Sequence, residues 1–201
     1  MKVELYDIIS KIIPGGLVYA PILYYDLLPN ADSISSEVVA LIIMYVLGFL
    51  VDAIGYFIQR PLYWTFGGLP SQKLLSGGSF SKISIHNLDV LNVYIERTYP
   101  QKDIADKNWL FNTINTIVRA KESKRIQSFY EGYIAARNIL VASILVLIIV
   151  LVKQFNWLVL GIGVSVLLLI WYRTKTKNYH FVQLLINTFI ARKILDEEKK
   201  D

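Results

Sequence analysis

Between Arg137 and Arg173 the chain carries a single charge, Lys153. No other feature restricts the fold so strongly. The run divides into two limbs, about 133–152 and 155–172, each roughly 30 Å long as helix, the depth of a bilayer core. Lys153, Gln154 and Asn156 make the short turn between them. Trp157 stands at one end of the second limb, and Trp171 and Tyr172 at the other, as interfacial aromatics do. A soluble domain rarely holds so continuous an apolar stretch, so the pattern predicts a transmembrane helical hairpin.

A second candidate span runs from Val38 to Gln59, 22 residues whose only charge is Asp52, closed by Arg60-Pro61. The first candidate is shorter. Ile12 to Tyr25 is charge-free but interrupted by Pro14, Gly15, Gly16 and Pro21. A run of that length either re-enters or spans with a bend at Pro21. A span is expected, so that the next one has an entry side. The start MKVELYD, with two acids, argues against a cleaved signal peptide.

Charge bias orients these spans. Asp26 to Glu37 has three acids and no Lys or Arg. Arg60 to Glu131 has ten Lys/Arg against six acids, and Arg173 to Asp201 seven against four. The basic segments are therefore placed in the cytoplasm, with both termini inside. The net charge of +5 follows from this topology, and no direct nucleic-acid binding is expected. At 54% hydrophobic and 18% charged, the chain is neither disordered nor an ordinary soluble enzyme core.

The expected organisation is all-α. A first transmembrane hairpin occupies 1–60, a cytoplasmic helical region 61–131, a second hairpin 132–172, and a cytoplasmic amphipathic helix 173–201. Within the cytoplasmic part, 61–81 reads as a loop marked by two Gly-Gly pairs and Pro70, with Tyr63, Trp64 and Phe66 near the interface. A helix is expected over Asn87–Tyr99, with Leu88, Leu91 and Ile95 on one side. Asp103 is positioned to cap a long helix running unbroken from about Lys107 into the third span. That helix carries Ile104, Leu110, Ile114, Val118, Ile126 and Tyr133, with a basic crowd at Arg119, Lys121, Lys124 and Arg125. In the tail, Phe181, Leu184, Leu185, Thr188, Phe189 and Leu195 form an apolar stripe that requires a packing partner.

Little in the sequence suggests catalysis. There is no cysteine, so no disulfide framework and no Cys-ligated metal; with only His86 and His180, a His-based site is not expected either. No metalloprotease, nucleophile-elbow, phosphate-loop or EF-hand pattern occurs. The acid pairs Asp103/Asp106 and Glu197/Glu198 read as solvated helix ends. No cofactor is expected. Two constellations remain. Tyr45, Gly48, Asp52, Gly55 and Gln59 recur every three or four residues and share one face of the second span. Such a face lines a pore, or makes a tight helix contact with Asp52 bonded to a neighbour. A smaller patch, Gly161, Gly163 and Ser165, reads as packing. The other constellation is Arg173-x6-His180, the Arg/His spacing of HEPN-type ribonucleases, in which the pair activates a ribose hydroxyl and steadies the phosphate. Thr174 follows the Arg where that family usually has a more polar residue.

The opening YDIISKIIPGGLVYAPILYYDLL, the layout of spans around a small basic helical part, and Arg173-x6-His180 together resemble the membrane accessory protein of type VI-B CRISPR systems. The resemblance implies a homo-oligomeric inner-membrane pore with a HEPN-like cytoplasmic portion. Such a pore works beside an RNA-guided nuclease in anti-phage defence by compromising the membrane. It also implies Arg173 and His180 as the motif pair. The alternatives are a membrane-tethered HEPN-like ribonuclease using that pair, and a scaffold holding a soluble defence partner at the bilayer.

Overall fold

The computed structural model describes residues 5–27, 37–100, 106–120 and 124–198. Among these the protein is all-helical. Eight helices follow one another: α1 Leu5–Tyr24, α2 Glu37–Phe57, α3 Gln59–Thr65, α4 Pro70–Leu75, α5 Leu88–Thr98, α6 Lys107–Ala120, α7 Lys124–Lys153 and α8 Trp157–Glu198. The only β feature among the described residues is an isolated bridge between Phe80 and Ile83. Three helices, α2, α7 and α8, are long and apolar enough to cross a membrane.

The chain forms two compact units. Unit 1 comprises 1–60 and 134–174; unit 2 comprises 61–133 and 175–201. Both α7 and α8 therefore contribute to each unit.

In unit 1, α1 is helical straight through Pro14 and Pro21 and packs along α2. It begins several residues before the charge-free run, so Lys11 lies inside the helix rather than ahead of it. The α7–α8 connection is only three residues. Asn156 closes it by accepting the Leu158 N–H on its side-chain oxygen at 2.8 Å, and that cap starts α8. A small apolar cluster of Val18, Val51, Val141 and Ala142 joins α1, α2 and α7. The outward faces are apolar and exposed, among them Leu41, Phe49 and Leu50 on α2 and Leu168 and Leu169 on α8.

Unit 2 has the opposite organisation. Leu91 and Ile95 of α5, Leu110, Ile114 and Val118 of α6, Ile126 of α7, and Leu185, Ile186 and Phe189 of α8 close one apolar core. Three expectations for this part are corrected. The segment 61–81 is largely two short helices, α3 and α4, with turns where Gly67, Gly68 and Gly77 take positive φ. Pro70 starts α4, where its missing N–H costs nothing, and Leu74 and Leu75 are buried, as are Leu62 and Phe66. Of the expected interfacial aromatics, only Trp64 is strongly exposed; Tyr63 is half-buried, its hydroxyl 3.3 Å from that of Tyr133.

The unbroken helix expected from Lys107 onward is two helices, α6 and α7. As one rod it would hold Leu110 and Ile126 about 24 Å apart, at ~1.5 Å per residue. Both belong instead to one core. The expected cap Asp103, with Ile104 and Lys121, lies outside the described residues, as do the side chains of Arg119, Leu195, Glu197 and Glu198. Asp106 caps α6, its Oδ1 accepting the N–H groups of Asn108 (3.1 Å) and Trp109 (3.0 Å).

Finally, the fourth apolar limb and the amphipathic tail are one 42-residue helix, α8. Nothing between Tyr172 and Asn178 breaks it, for RTKTK contains neither Pro nor Gly.

Candidate functional site

The site builds outward from two glycines. Gly15 of α1 lies against the Met44 backbone carbonyl of α2, and Gly48 of α2 against the Lys11 backbone of α1. At either position a Cβ would overlap the opposing main chain. The two helices thus meet backbone to backbone, the contact that small residues permit. That approach holds Lys11 near α2, over the Phe49 ring at 5.3 Å.

One turn beyond Gly48, Asp52 receives donors from two other helices. Its Oδ2 pairs with the Lys11 ammonium of α1. Its Oδ1 accepts from Arg137 Nη2 at 2.6 Å and from Asn138 Nδ2 at 2.9 Å, both on α7. The guanidinium makes further bonds. Nε and Nη2 donate to Asn138 Oδ1 at 3.3 and 3.2 Å, and Nη1 reaches Gln59 Oε1 at 3.4 Å. Gly55 leaves room for this group; a Cβ there would stand 2.9 Å from Arg137 Nε.

Arg137 and Asn138 are buried, while Lys11 keeps 15% and Asp52 29% of its side chain exposed. Three formal charges, two positive and one negative, therefore form a layer across α1, α2 and α7. In surroundings this apolar, a carboxylate is sustained by paired and hydrogen-bonded cations. The layer can tie three helices together, and it leaves a net positive charge inside unit 1.

The structure thus brings Gly48, Asp52, Gly55 and Gln59 into one set of helix–helix contacts. Tyr45 stands apart from the charges, edge-on to Phe49 at 5.0 Å. In the second small-residue patch, Gly163 faces the Leu147 side chain, Gly161 faces open space, and Ser165 donates to the Gly161 carbonyl at 2.8 Å. Arg173 and His180 are each exposed on α8, the first in unit 1 and the second in unit 2. Between them, Thr174 is buried and donates to the Ile170 and Ala136 carbonyls at 2.8 and 3.2 Å.

Unit 2 holds a separate aromatic group. The Lys175 ammonium sits 4.5 Å from the Phe80 ring centroid and 5.9 Å from that of Phe66. Tyr179 stacks on the Phe80 ring, with the centroids 4.7 Å apart. Burial pushes the Tyr179 phenol above its ordinary range, and among the described residues its hydroxyl finds no hydrogen-bond partner. Among the described residues no group of His, Asp or Glu is arranged to hold a metal ion.

Neither protein-family profiles, nor curated proteins, nor solved structures yield a match to this chain. The charge layer therefore rests on geometry alone. Sequence reasoning found Asp52, Gly55 and Gln59 but not Lys11, Arg137 or Asn138. It treated Arg137 as the flank of an apolar run and left Lys11 outside one. A signal was present nonetheless. A lone acid in an apolar span calls for a polar or charged partner on a neighbouring span, and Lys11 and Arg137 each border one of the neighbouring apolar runs.

Proposed function

We propose that this protein is a multi-pass membrane protein working as a homo-oligomeric, channel-type effector, and that the Lys11–Asp52–Arg137 layer holds its closed protomer. The observation that carries this reading is the layer itself. Ionised residues within apolar helices are costly and are retained where ion passage or switching uses them. In this reading four helices cross the bilayer as two hairpins, α1 with α2 and the apolar halves of α7 with α8. The excess of Lys and Arg in 60–131 and 173–201 supports a bacterial inner-membrane placement with unit 2 and both termini cytoplasmic. Four helices enclose too little interior for a conducting path, so copies of the chain must surround it. The apolar exposed faces of α2 and α8 are open to lipid or to such copies. Anti-phage defence, with an RNA-guided nuclease as functional partner, is the setting that the resemblance to type VI-B accessory proteins suggests.

The test is ion flux from liposomes carrying the purified protein, together with its mass in detergent. The expected outcome is an oligomer whose conductance rises when Asp52→Asn weakens the layer. A strictly monomeric protein without flux in either form overturns the reading.

A scaffold role is the second reading, favoured by one observation: unit 2 encloses a complete core of its own and so offers a folded surface to a soluble partner. Purification with a stoichiometric partner and no flux would select it. The ribonuclease reading needs RNA cleavage that disappears in His180→Ala.

A further inference from the structure

Among the long helices of unit 1, α1 is the one that contains proline. Its sequence carries Asp7, Lys11 and two internal prolines. Pro14 and Pro21 each remove a backbone donor from the helix ladder, and a lysine ammonium inside a span opposes transfer into lipid. Taken alone, α1 is a marginal span. Yet in the folded chain it is helical over its whole length, and the features that handicap it are the ones α2 accommodates. Lys11 is paired with Asp52. Gly15 meets the Met44 carbonyl, and Gly48 meets the Lys11 main chain. Pro14, Val18, Tyr19 and Pro21 are buried, whereas Ile13, Leu17, Leu23 and Tyr24 face outward.

From this juxtaposition we infer that α1 is a conditional span: it enters the bilayer only by docking on α2, and the Lys11–Asp52 pair is the condition. The pair works in one direction. Asp52 keeps a second cation, Arg137, when α1 is absent, so α2 with α7 retains a neutral couple. Among the described residues Lys11 pairs with no other carboxylate, and it loses this partner on leaving. The α1 helix is therefore the detachable element of unit 1, and α2 with α7 the fixed one.

The inference rests on the membrane placement of unit 1 but not on channel activity. Because the chain has no cysteine, single-cysteine labelling of the full-length protein in intact cells tests it directly. Leu5→Cys reports the first residue of α1, and Gln154→Cys reports the α7–α8 turn. With Asp52 intact, only position 154 reacts with a membrane-impermeant maleimide added outside. Because α2 stays in place with its first turn outside, an undocked α1 is left on the outer side, and Asp52→Leu is expected to expose position 5 to the label while leaving position 154 unchanged. The double variant Lys11→Leu/Asp52→Leu, whose α1 no longer carries the ammonium, is expected to return position 5 to protection.

Continued protection of position 5 in Asp52→Leu overturns the inference, since α1 would then cross unaided. Failure of the double variant to restore protection does the same, since the change would not depend on Lys11. Absence of labelling at position 154 with Asp52 intact overturns the membrane placement itself.

Discussion

The two units of this chain solve the same packing problem in opposite ways. Unit 2 hides its apolar side chains: Leu91, Ile95, Leu110, Ile114, Leu185 and Phe189 are buried together, with charged residues such as Lys73, Lys82 and Lys124 outside. Unit 1 exposes Leu41, Phe49, Leu50, Leu168 and Leu169 and gathers three charges, Lys11, Asp52 and Arg137, between its helices, with Arg137 and Asn138 buried against Asp52. In water the first arrangement draws on the hydrophobic effect. In lipid that drive between helices vanishes, and close backbone approach and polar bonds take over. The contrast is the one the proposed placement requires, with lipid around unit 1 and water around unit 2.

The strongest challenge to this contrast is a substitution at Arg137. Arg137→Leu strips Asp52 of its buried cation and removes the donors that Arg137 gives to the Asn138 and Gln59 side-chain oxygens. A loss of ~3–5 kcal/mol is expected in unit 1, as for breaking any buried pair. Thermal unfolding in detergent measures it. If charge pairing is the organising force, the triple variant Lys11→Leu/Asp52→Leu/Arg137→Leu is less destabilised than Arg137→Leu alone. Equal losses would show that shape, not charge, holds these helices.

Ile114→Ala probes the other unit. It leaves a cavity in a fully buried site and is expected to cost about 2–5 kcal/mol. Hydrogen exchange should show faster opening in α5 and α6 while α1 and α2 keep their protection. Next in size is Gly48→Ala, which forces the α1 and α2 main chains apart at a cost of about 1–3 kcal/mol. The same change at Gly161, which faces open space, is expected to be silent in the same unfolding measurement.

The smallest effect is expected at Tyr179. Its buried hydroxyl has no hydrogen-bond partner among the described residues, so Tyr179→Phe should leave stability unchanged or slightly raised. Its raised pKa fixes a pH signature as well. The neutral phenol is favoured in the folded state, so this contribution is complete below the unfolded value of 10.0 and is lost as pH rises through the higher folded value. A pH–stability profile of unit 2 should lose that alkaline decline in Tyr179→Phe.

Much of the helix layout is legible from local pattern. The apolar run after Arg137 with its turn at Gln154–Asn156, the span over Asp52, and the buried line Leu91–Ile95 all follow from periodicity and from polar or proline punctuation. Elsewhere, local signals misled. Two Gly-Gly pairs suggested a loop over 61–81, yet Leu62, Phe66, Leu74 and Leu75 supply enough burial to fold α3 and α4 between the turns. The change from apolar to amphipathic character near Tyr172 suggested two helices, but a change of environment does not interrupt a backbone hydrogen-bond ladder, and α8 runs on. The split between α6 and α7 was invisible because neither proline nor glycine marks it; what requires it is the shared core of Leu110 and Ile126.

Composition summed over some twenty residues is enough to mark α2 and the apolar parts of α7 and α8 as able to cross a membrane, because transfer into lipid depends on that sum. The sequence by itself also determined that Asp52, Gly55 and Gln59 share a face, because helical periodicity is a local property. Only the tertiary structure decided what that face meets. Lys11 lies 41 positions before Asp52 and Arg137 lies 85 after it. No local rule relates them. A carboxylate set among apolar helices selects its partners by distance in space, and the Gly15 and Gly48 contacts are what bring one of those partners within reach.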